Sequence, residues 1–451
     1  MTRHLFVGRF GPGDRQQIPF ASDEAMTRLD LVVSNKQMGY GISGALSDLA
    51  KLKLFPTEIG LDLLILAAHV HAADTRISRS SESQDTWTRE IRLVVPVSEV
   101  ARWNAAAPIL RRTLNFLTGD RWTVQFRSRP ARFAKAVPAR KAELIEPPFD
   151  DVNLFSGGLD SLIGAIDAIA GGRVPLLVSH AGEGAVSRSQ ELCFDGLKAA
   201  YRKNAFDRLR VWMSFPKTLV RNVGAEDTTR GRSFLFFALG IFAGTGLGRA
   251  FTLRAPENGL IALNVPLDTL RLGALSTRTT HPFYIARWNE LLGIVGVPGT
   301  IENPYWNKTK GEMVAGCANP SLLHQLVPSS LSCASPTKGR WQGHGTQHCG
   351  YCLPCLIRRA SLAGTNDPTT YTVPNLRARS WDTRKAEGEQ IRSFQFAVDR
   401  LRARPQLARI LIYKPGPLSD NPDRVGELAD VYRRGLAEVG ALLSGVRAGP
   451  T

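Results

Sequence analysis

The stretch Ser156-Gly157-Gly158-Leu159-Asp160-Ser161 lies between two apolar runs, Val152 to Phe155 and Leu162 to Ala170. We predict a strand, a turn and a helix for these three segments. Two glycines allow a tight turn that approaches an anion closely, and a helix N-terminus adds N–H groups and partial positive charge. With a serine at each end, the turn is predicted to bind phosphate, and an ordinary strand-to-helix turn is the alternative. Its spacing is neither that of a Walker loop nor G-x-G-x-x-G.

The chain after this turn alternates strand-like and helical patterns, which predicts an α/β domain with a doubly wound, mostly parallel sheet. The turn then falls at the carboxyl end of the domain's first strand, where open α/β sheets bind ligands. The apolar run from Phe234 to Leu247 is too short to span a bilayer, which takes about 20 residues. We therefore predict a buried helix packed on the sheet.

Four of the six cysteines are close in sequence, and three of them form a C-x-x-C-x-x-C run. The candidate metal ligands are Cys333, Cys349, Cys352 and Cys355. Four thiolates can close a tetrahedral zinc site with no open position for water, which predicts a structural zinc. Iron–sulfur ligation and disulfides are the alternatives. Cys193 and Cys317 lie in apolar surroundings and are predicted to be buried thiols.

The composition is that of a globular protein, with 43% apolar and 22% charged residues among 451. This length predicts two to four domains. No sustained apolar segment opens the chain, so we expect a cytoplasmic protein without a membrane partner. The formal net charge of +17 favours phosphate-bearing partners. A nucleic-acid groove is possible, but the scattered arginines favour a solvated basic surface.

The segments on either side of residues 149–365 are predicted to form separate parts. Residues 1–128 are predicted to be an α+β domain with a strand from Glu90 to Val97, a helix capped by Ser98, and a strand from Trp122 to Phe126. Residues 129–148 are predicted to be a linker. Because the central segment would form a complete site alone, we expect the N-terminal domain to bind a partner.

Residues 366–451 are predicted to be a helical, basic extension with two apolar stripes. The stripes consist of Ile391, Phe394, Val398 and Leu401, and of Leu428, Val431, Tyr432, Val439, Leu442 and Leu443.

Motifs across residues 149–365 carry a resemblance to known enzymes. The turn resembles the pyrophosphate loop (PP-loop), S-G-G-x-D-S, of the ATP pyrophosphatases. The loop followed by the cysteine run and Arg358 is similar to the 7-cyano-7-deazaguanine synthase (QueC) family. Two further segments match it, Gly231-Arg232-Ser233 at the family's G-R-N and Thr309 to Met313 at its K-x-E segment. The resemblance implies an adenine nucleotide alpha hydrolase-like fold, with ATP, Mg²⁺ and Zn²⁺ as cofactors.

Other parts of the chain depart from the synthase pattern. Where the family has an aspartate-rich D-C-R stretch that meets the deazaguanine, this chain has Pro256-Glu257-Asn258-Gly259 and then Ser276 to Pro282. We therefore expect a rebuilt substrate pocket. About 150 residues precede the loop and about 85 follow the cysteine cluster. With these additions, the chain is most similar to the QueC-like component of bacterial antiphage operons, above all those of the Qat type.

This resemblance implies adenylation of the carboxylate of 7-carboxy-7-deazaguanine, with release of pyrophosphate. An amine then displaces AMP, and the implied acceptor is the N-terminus of a protein encoded in the same operon. Three alternatives stay open. They are a 7-cyano-7-deazaguanine synthase that uses ammonia, a PP-loop enzyme that modifies tRNA or DNA, and a non-catalytic nucleotide-binding module of an assembly.

Family position and chemistry together assign the nucleotide-binding candidates. Pyrophosphate is assigned to Ser156, Gly157, Gly158, Asp160 and Ser161. Asp160 cannot attract a phosphate directly, so it would act through Mg²⁺ or by fixing the loop amides. Arg232 and Lys310 are predicted to stabilise the transferring phosphates. By family position, the adenosine is expected to lie against Val178, Ser179 and His180.

The remaining candidates concern the substrate. His281 is predicted to be a substrate ligand or a general base, and a packed or capping histidine is the alternative. Glu257 and Asn258 follow a predicted strand end and are candidates for reading the purine-like edge of a deazaguanine. Helix capping is the competing role for Asn258. Arg278 lies in the segment that replaces the family's substrate-binding stretch and is the last candidate substrate residue.

Overall fold

Two parallel β-sheets with helices packed on them form most of the protein. The computed structural model describes residues 3–34, 37–83, 85, 87–139, 146–182, 184–226, 230–268 and 278–450, and for 341 and 342 the backbone only. Residues 140–145 of the predicted linker, and Ser276 and Thr277, lie outside these described residues. The predicted α/β class with parallel sheets is confirmed.

The first sheet is built from the N-terminal residues and has four strands, in the spatial order second, first, third and fourth. Along the chain these are β1 (Arg3–Arg9), β2 (Glu24–Asp30), β5 (Glu90–Val97) and β6 (Arg121–Ser128). A short antiparallel pair, β3 (Val32–Ser34) and β4 (Gln37–Met38), follows β2. The helices of this part are α1 (Ile42–Lys51), α2 (Glu58–Arg76), α3 (Arg79–Glu82) and α4 (Val100–Thr118).

Every pairing in the first sheet is parallel, so the prediction of an α+β domain is wrong. The physical reason is the connection between β5 and β6. A 19-residue helix, α4, crosses from one strand to the other and brings the chain back in the same direction. Both strands themselves lie where the sequence predicts them.

The second sheet contains the glycine-rich loop. Its strands are β7 (Asp151–Leu154), β8 (Pro175–Ala181), β9 (Asp207–Trp212), β10 (Phe251–Arg254) and β11 (Gly299–Glu302). All pairings are parallel, in the spatial order β11-β10-β7-β8-β9. The order reverses between β7 and β10, and such a reversal is where open α/β sheets bind ligands.

Helices lie on both faces of the second sheet. They are α5 (Leu159–Ala170), α6 (Gly184–Ala200), α7 (Arg232–Thr245), α8 (Gly259–Leu263), α9 (Pro282–Ile294), α10 (Lys310–Ala315) and α11 (Pro320–Leu326). One hydrophobic core packs α5, α6 and α11 on one face. On the other face, α7 and α9 share a continuous core with α2, α4 and the first sheet. The apolar run predicted as a buried helix is α7.

The C-terminal part is helical, as predicted, and its core includes three of the clustered cysteines. Its elements are α12 (Leu353–Leu362), β12 (Trp381–Asp382), α13 (Ala386–Ala403), α14 (Ala408–Leu411), α15 (Val425–Leu442) and β13 (Ala448–Gly449). The first predicted stripe lies on α13, and the second lies on α15 and its C-cap residue Leu443. All residues of both stripes are buried except Leu442, which is half-buried. Within the described part of the chain, no helix combines the length and the apolar character that a membrane crossing needs.

Two local predictions in the N-terminal part are wrong, because the residues concerned bind a buried acid, Asp62. Ser98 does not cap α4, whose N-cap is Glu99. Instead, the Ser98 hydroxyl donates to Asp62 at 2.6 Å. Arg129, at the start of the predicted linker, is buried and pairs with Asp62 and Glu58. The first residues of that linker are therefore part of the folded N-terminal unit.

Candidate functional site

The backbone of the glycine-rich loop has a shape that requires glycine. Gly157 has φ +79°, and a Cβ atom there would lie 2.9 Å from the backbone nitrogen of Gln190. A side chain would therefore be strained and would also clash with α6. The Gly157 carbonyl accepts from the Ser189 hydroxyl at 2.7 Å and from the Leu331 N–H at 2.8 Å.

The two loop serines face each other across the turn. Their hydroxyl oxygens are 3.1 Å apart, and the Ser161 hydroxyl donates to the Gly158 carbonyl at 3.0 Å. Gly158 is the N-cap of α5 and has no side chain of its own to cap it, but the Ser332 hydroxyl accepts from the N–H of Leu159, the first residue of the helix, at 3.1 Å. Beyond the Leu159 N–H, the first turn of α5 still presents backbone N–H groups of the kind that can bind an anion.

Asp160 is held from two sides. Its Oδ1 lies 2.9 Å from the Nζ of Lys310, and both side chains are almost buried. Its Oδ2 accepts from the side-chain amide of Asn258 at 2.7 Å. Asn258 also caps α8 by accepting from the Ile261 N–H, so the capping role proposed for it is present. The predicted residues Asp160, Lys310 and Asn258 thus form one connected group.

Glu257 lies beside this group and has an unusual protonation equilibrium. Its carboxylate accepts a hydrogen bond from the Thr280 hydroxyl. Burial raises the pKa of Glu257 to about 7; the Thr280 hydrogen bond opposes this shift, and the charge of Asp160 adds to it. A carboxyl group with this pKa exchanges protons near neutral pH.

The loop, Arg232 and Glu257 meet at one cavity of about 380 Å³. The cavity is lined by Leu154, Ser156, Ser161, Val186, Arg230, Arg232, Ser233, Phe236, Ala255, Pro256, Glu257, Thr279, Thr280 and Leu331. It therefore brings together predicted residues from the loop, from the start of α7 and from the end of β10. Its size and its mixed polar and apolar lining suit a small ligand.

The predicted adenosine residues lie at the carboxyl end of β8, next to the loop strand. The Ser179 hydroxyl donates to the Phe155 carbonyl at 2.5 Å, and the His180 carbonyl accepts from the Gln190 side chain at 3.1 Å. Burial lowers the pKa of His180 to about 4, so its ring is neutral. Arg232 stacks on Phe236, 5.5 Å from the ring centre, and reaches towards Gly182 just beyond β8.

His281 and Arg278 flank two lining residues, Thr279 and Thr280, but are not themselves part of the cavity lining. His281 is the N-cap of α9, where its Nδ1 accepts from the Phe283 N–H at 3.2 Å. Its ring packs 5.2 Å from Phe116, and burial lowers its pKa to about 3. Arg278 donates to the Phe116 carbonyl at 2.6 Å. The structure therefore favours the packed, capping role for His281 over the predicted general base, and gives Arg278 a contact to α4.

The four clustered cysteines fit a zinc ion. Their sulfur atoms all lie within 4.8 Å of one another, and two of the pairs are 3.9 Å apart. Backbone N–H groups donate to the sulfurs of Cys333 and Cys349, which favours the thiolate form. Four thiolates within this distance can complete a tetrahedral shell, so zinc would be a structural ion here.

The segment that ends at Cys333 connects the cysteine cluster to the loop. We call residues 330–333 the strap. Leu331 donates its N–H to Gly157, and the Ser332 hydroxyl accepts from the Leu159 N–H at 3.1 Å. On the other side, the Ser332 N–H donates to His348, which precedes the candidate ligand Cys349. The fully buried Arg358 donates to the Ser330 hydroxyl at 2.9 Å.

The sequence did not identify several residues that line or support the cavity. Arg230 lies two positions before Arg232 and lines the same cavity, so the R-G-R spacing could have indicated a second cavity arginine. Thr280 and the strap offered no such signal, because their roles depend on partners distant in sequence. No family model matches this chain, and comparison with curated proteins finds no match either. The residues and their geometry therefore carry the functional conclusion.

Proposed function

We propose that this protein is an ATP-dependent enzyme that adenylates a carboxylate, releases pyrophosphate and transfers the acyl group to an amine. The observation that carries this proposal is the single cavity in which a phosphate-type loop, Arg232 and the proton-exchanging Glu257 meet. The resemblance across residues 149–365 supports 7-carboxy-7-deazaguanine as the carboxylate. It also supports the N-terminus of a protein encoded nearby as the amine.

The chemistry requires stabilisation of a departing pyrophosphate. A carboxylate oxygen of the substrate attacks the α-phosphorus of ATP, and the bond from that phosphorus to the β,γ-pyrophosphate breaks. The first turn of α5, the loop serines and Arg232 would hold the negative charge on the leaving group. The amine then attacks the acyl carbon, AMP leaves with the bonding electrons, and a proton is lost from nitrogen.

Asp160 is better placed to fix the loop than to bind Mg²⁺. Both of its oxygens already have partners, Lys310 and Asn258. Among the residues that the structure describes, the cysteine cluster is the only group of three or more side chains that could hold a metal ion. Mg²⁺ would therefore reach the site on the phosphates of ATP.

Glu257 is the group best suited to accept the proton from the amine. Its carboxyl lines the cavity, and its pKa of about 7 leaves much of it ionised at neutral pH. The same carboxylate could instead accept from the N–H groups of the deazaguanine. Either role places the carboxyl group against the substrate.

The test is pyrophosphate release from ATP and Mg²⁺, with and without 7-carboxy-7-deazaguanine, read with intact-mass spectra of the proteins encoded beside this one. We expect substrate-dependent pyrophosphate and a mass gain on one neighbour that equals the deazaguanine acyl group. Pyrophosphate with only a free amide or nitrile would instead show a synthase that uses ammonia. A mass gain on tRNA or DNA would show a nucleic-acid-modifying enzyme.

Lys310→Met gives a sharp variant for this test, because Lys310 is almost buried and pairs with Asp160. We expect its pyrophosphate release to fall about 100-fold, the usual cost of removing one preorganised electrostatic group. The matched control is Lys308→Met, since Lys308 is exposed and two positions away. Equal rates for wild type and Lys310→Met, or no pyrophosphate from wild type, would contradict the catalytic proposal.

A further inference from the structure

A second arginine, Arg230, lines the cavity beside Arg232. Its side chain is only 7% exposed. One of its terminal nitrogens donates to the Thr118 carbonyl at the end of α4, at 3.0 Å, and the guanidinium lies 5.8 Å from the ring centre of Trp87. Its Nε is buried and has no hydrogen-bond partner in the described part of the protein.

A network of buried charges lies behind Arg230 in the N-terminal part. Asp74 and Asp120 both pair with Arg89, at 2.9 and 2.8 Å, and Asp120 also pairs with Arg79. The two carboxylates are thus matched by two arginines. Arg230 forms no ion pair with any described carboxylate, so it adds an unmatched positive charge next to the cavity.

This excess charge is costly without an anion. Burial lowers the pKa of Arg230 to about 9 and repulsion from Arg79 adds to the effect, while Asp120 and Asp74 oppose it, and the group stays charged at neutral pH. A buried charge without a partner is unfavourable, and a bound anion relieves the cost. The first turn of α7, which lines the same cavity with Arg232 and Ser233, adds the positive end of a helix dipole.

Asp74 fixes the position of this arginine pair. Its Oδ2 accepts from the N–H of Gly231, the residue between Arg230 and Arg232, at 2.7 Å. A Cβ atom on Gly231 would lie 3.1 to 3.2 Å from the Asp74 carboxyl group, so the backbone approach leaves little room for a side chain. The carboxylate is anchored by Arg89, and the arginine segment is thereby joined to α2.

We infer that Arg230 is an anion-binding residue of the cavity, and that Asp74, acting through Gly231, is the positioning residue that sets it. The ligand is a phosphate or carboxylate group. This inference depends on the proposed function for the source of that anion, either the nucleotide phosphates or the carboxylate of the second substrate. It gives the N-terminal part a direct role in the site.

The test is isothermal titration of the full chain with two separate probes, inorganic pyrophosphate and 7-carboxy-7-deazaguanine, at several salt concentrations. We expect Arg230→Gln to lower the binding affinity for one of the two probes about 10- to 100-fold, the usual range for a hydrogen bond to a charged group. The salt dependence of that affinity should also become weaker. Arg230→Lys should recover part of the affinity. If pyrophosphate binds more weakly, Arg230 contacts the nucleotide phosphates. If 7-carboxy-7-deazaguanine binds more weakly, Arg230 contacts the carboxylate of the second substrate.

Two further variants separate positioning from stability. Gly231→Ala removes no charge but crowds Asp74. It should lower the affinity for the same probe that Arg230→Gln affects. The control is Arg129→Gln, which breaks a buried ion pair in the same part of the protein, remote from the cavity lining. It should lower the melting temperature without changing either affinity.

The inference is overturned if Arg230→Gln only lowers the melting temperature, with both affinities and their salt dependence unchanged. It is also overturned if the wild-type protein binds neither probe. Because pyrophosphate binding needs no turnover, the titration remains decisive even if the wild-type protein releases no pyrophosphate from ATP. Failure of the proposed function and failure of this inference are therefore distinguishable.

Discussion

Glu257 lines the cavity and also has a raised pKa. It lies in the cavity near Asp160 and Lys310, and burial keeps its pKa near 7. In its ionised form it can accept a proton, and in its protonated form it cannot act as a base, although its carbonyl oxygen still accepts hydrogen bonds and its O–H donates one. The protonation state of this side chain should therefore control the step in which the amine reacts.

We expect amide formation to rise with pH through about 7, because the raised pKa of Glu257 leaves it protonated below that value. Glu257→Gln should lower the rate about 100-fold and remove this rise. The measurement is the pH profile of product formation at saturating ATP. Glu302→Gln is the control, since Glu302 is on β11 outside the cavity lining. A flat wild-type profile, or an unchanged profile in Glu257→Gln, would contradict this role.

The strap connects the cysteine cluster to the glycine-rich loop. Its N-terminal residues bind the loop backbone, and its last residue, Cys333, is a candidate metal ligand. A metal bound by the cluster would hold the four sulfur atoms together, and its removal would take away the attraction that keeps this segment in place. The loop amides would then lose the contacts that define their direction.

We expect Cys352→Ser to lose zinc and to bind ATP at least about tenfold more weakly, since ligand loss commonly costs affinity and order together. Zinc content and ATP affinity should be measured on the same preparation. Cys317→Ala serves as the control, because Cys317 is a buried free cysteine of a different core and is not one of the four clustered thiols. A zinc-free variant with wild-type ATP affinity would show that the strap does not depend on the metal.

The sequence indicates elements better than the contacts between them. The strand β5, the buried helix α7 and the cysteine cluster follow from local periodicity or spacing, and each lies where it was predicted. The strap is different, because its contacts with the loop join residues 173 positions apart. No periodic pattern marks such a pairing. His281 shows the converse, since its residue type indicated chemistry while its position at a helix start determined its role.

At the scale of the whole molecule, the flanking parts support the site directly. On the C-terminal side, Glu438 of α15 accepts from the Thr309 hydroxyl and from the Gly311 N–H, on both sides of Lys310. On the N-terminal side, Asp74 of α2 holds Gly231. The flanking parts therefore contribute contacts to residues beside the site, whereas the sequence led us to expect a central segment that is complete on its own. Partner binding by the N-terminal part stays a prediction.

The two sheets share one core, and a close approach of α2 and α7 is part of it. A Cβ atom on Gly60 of α2 would lie 2.4 Å from the hydroxyl of Thr245 on α7. The Thr57 N–H donates to the same hydroxyl at 3.2 Å. Because both sheets pack on these helices, separating them should destabilise the whole chain and not a single domain.

Gly60→Ala tests this coupling. We expect it to lower the free energy of unfolding by about 1–3 kcal/mol, the usual cost of overpacking, in one cooperative transition. Gly44→Ala is the matched control in α1, where an added Cβ would meet nothing within 4 Å, and its better helix propensity should stabilise the protein by roughly 0.5–1 kcal/mol. Calorimetry of the full chain distinguishes the outcomes. Two separate transitions, with only one shifted by Gly60→Ala, would show that the N-terminal part unfolds independently, as a partner-binding module attached to the site would.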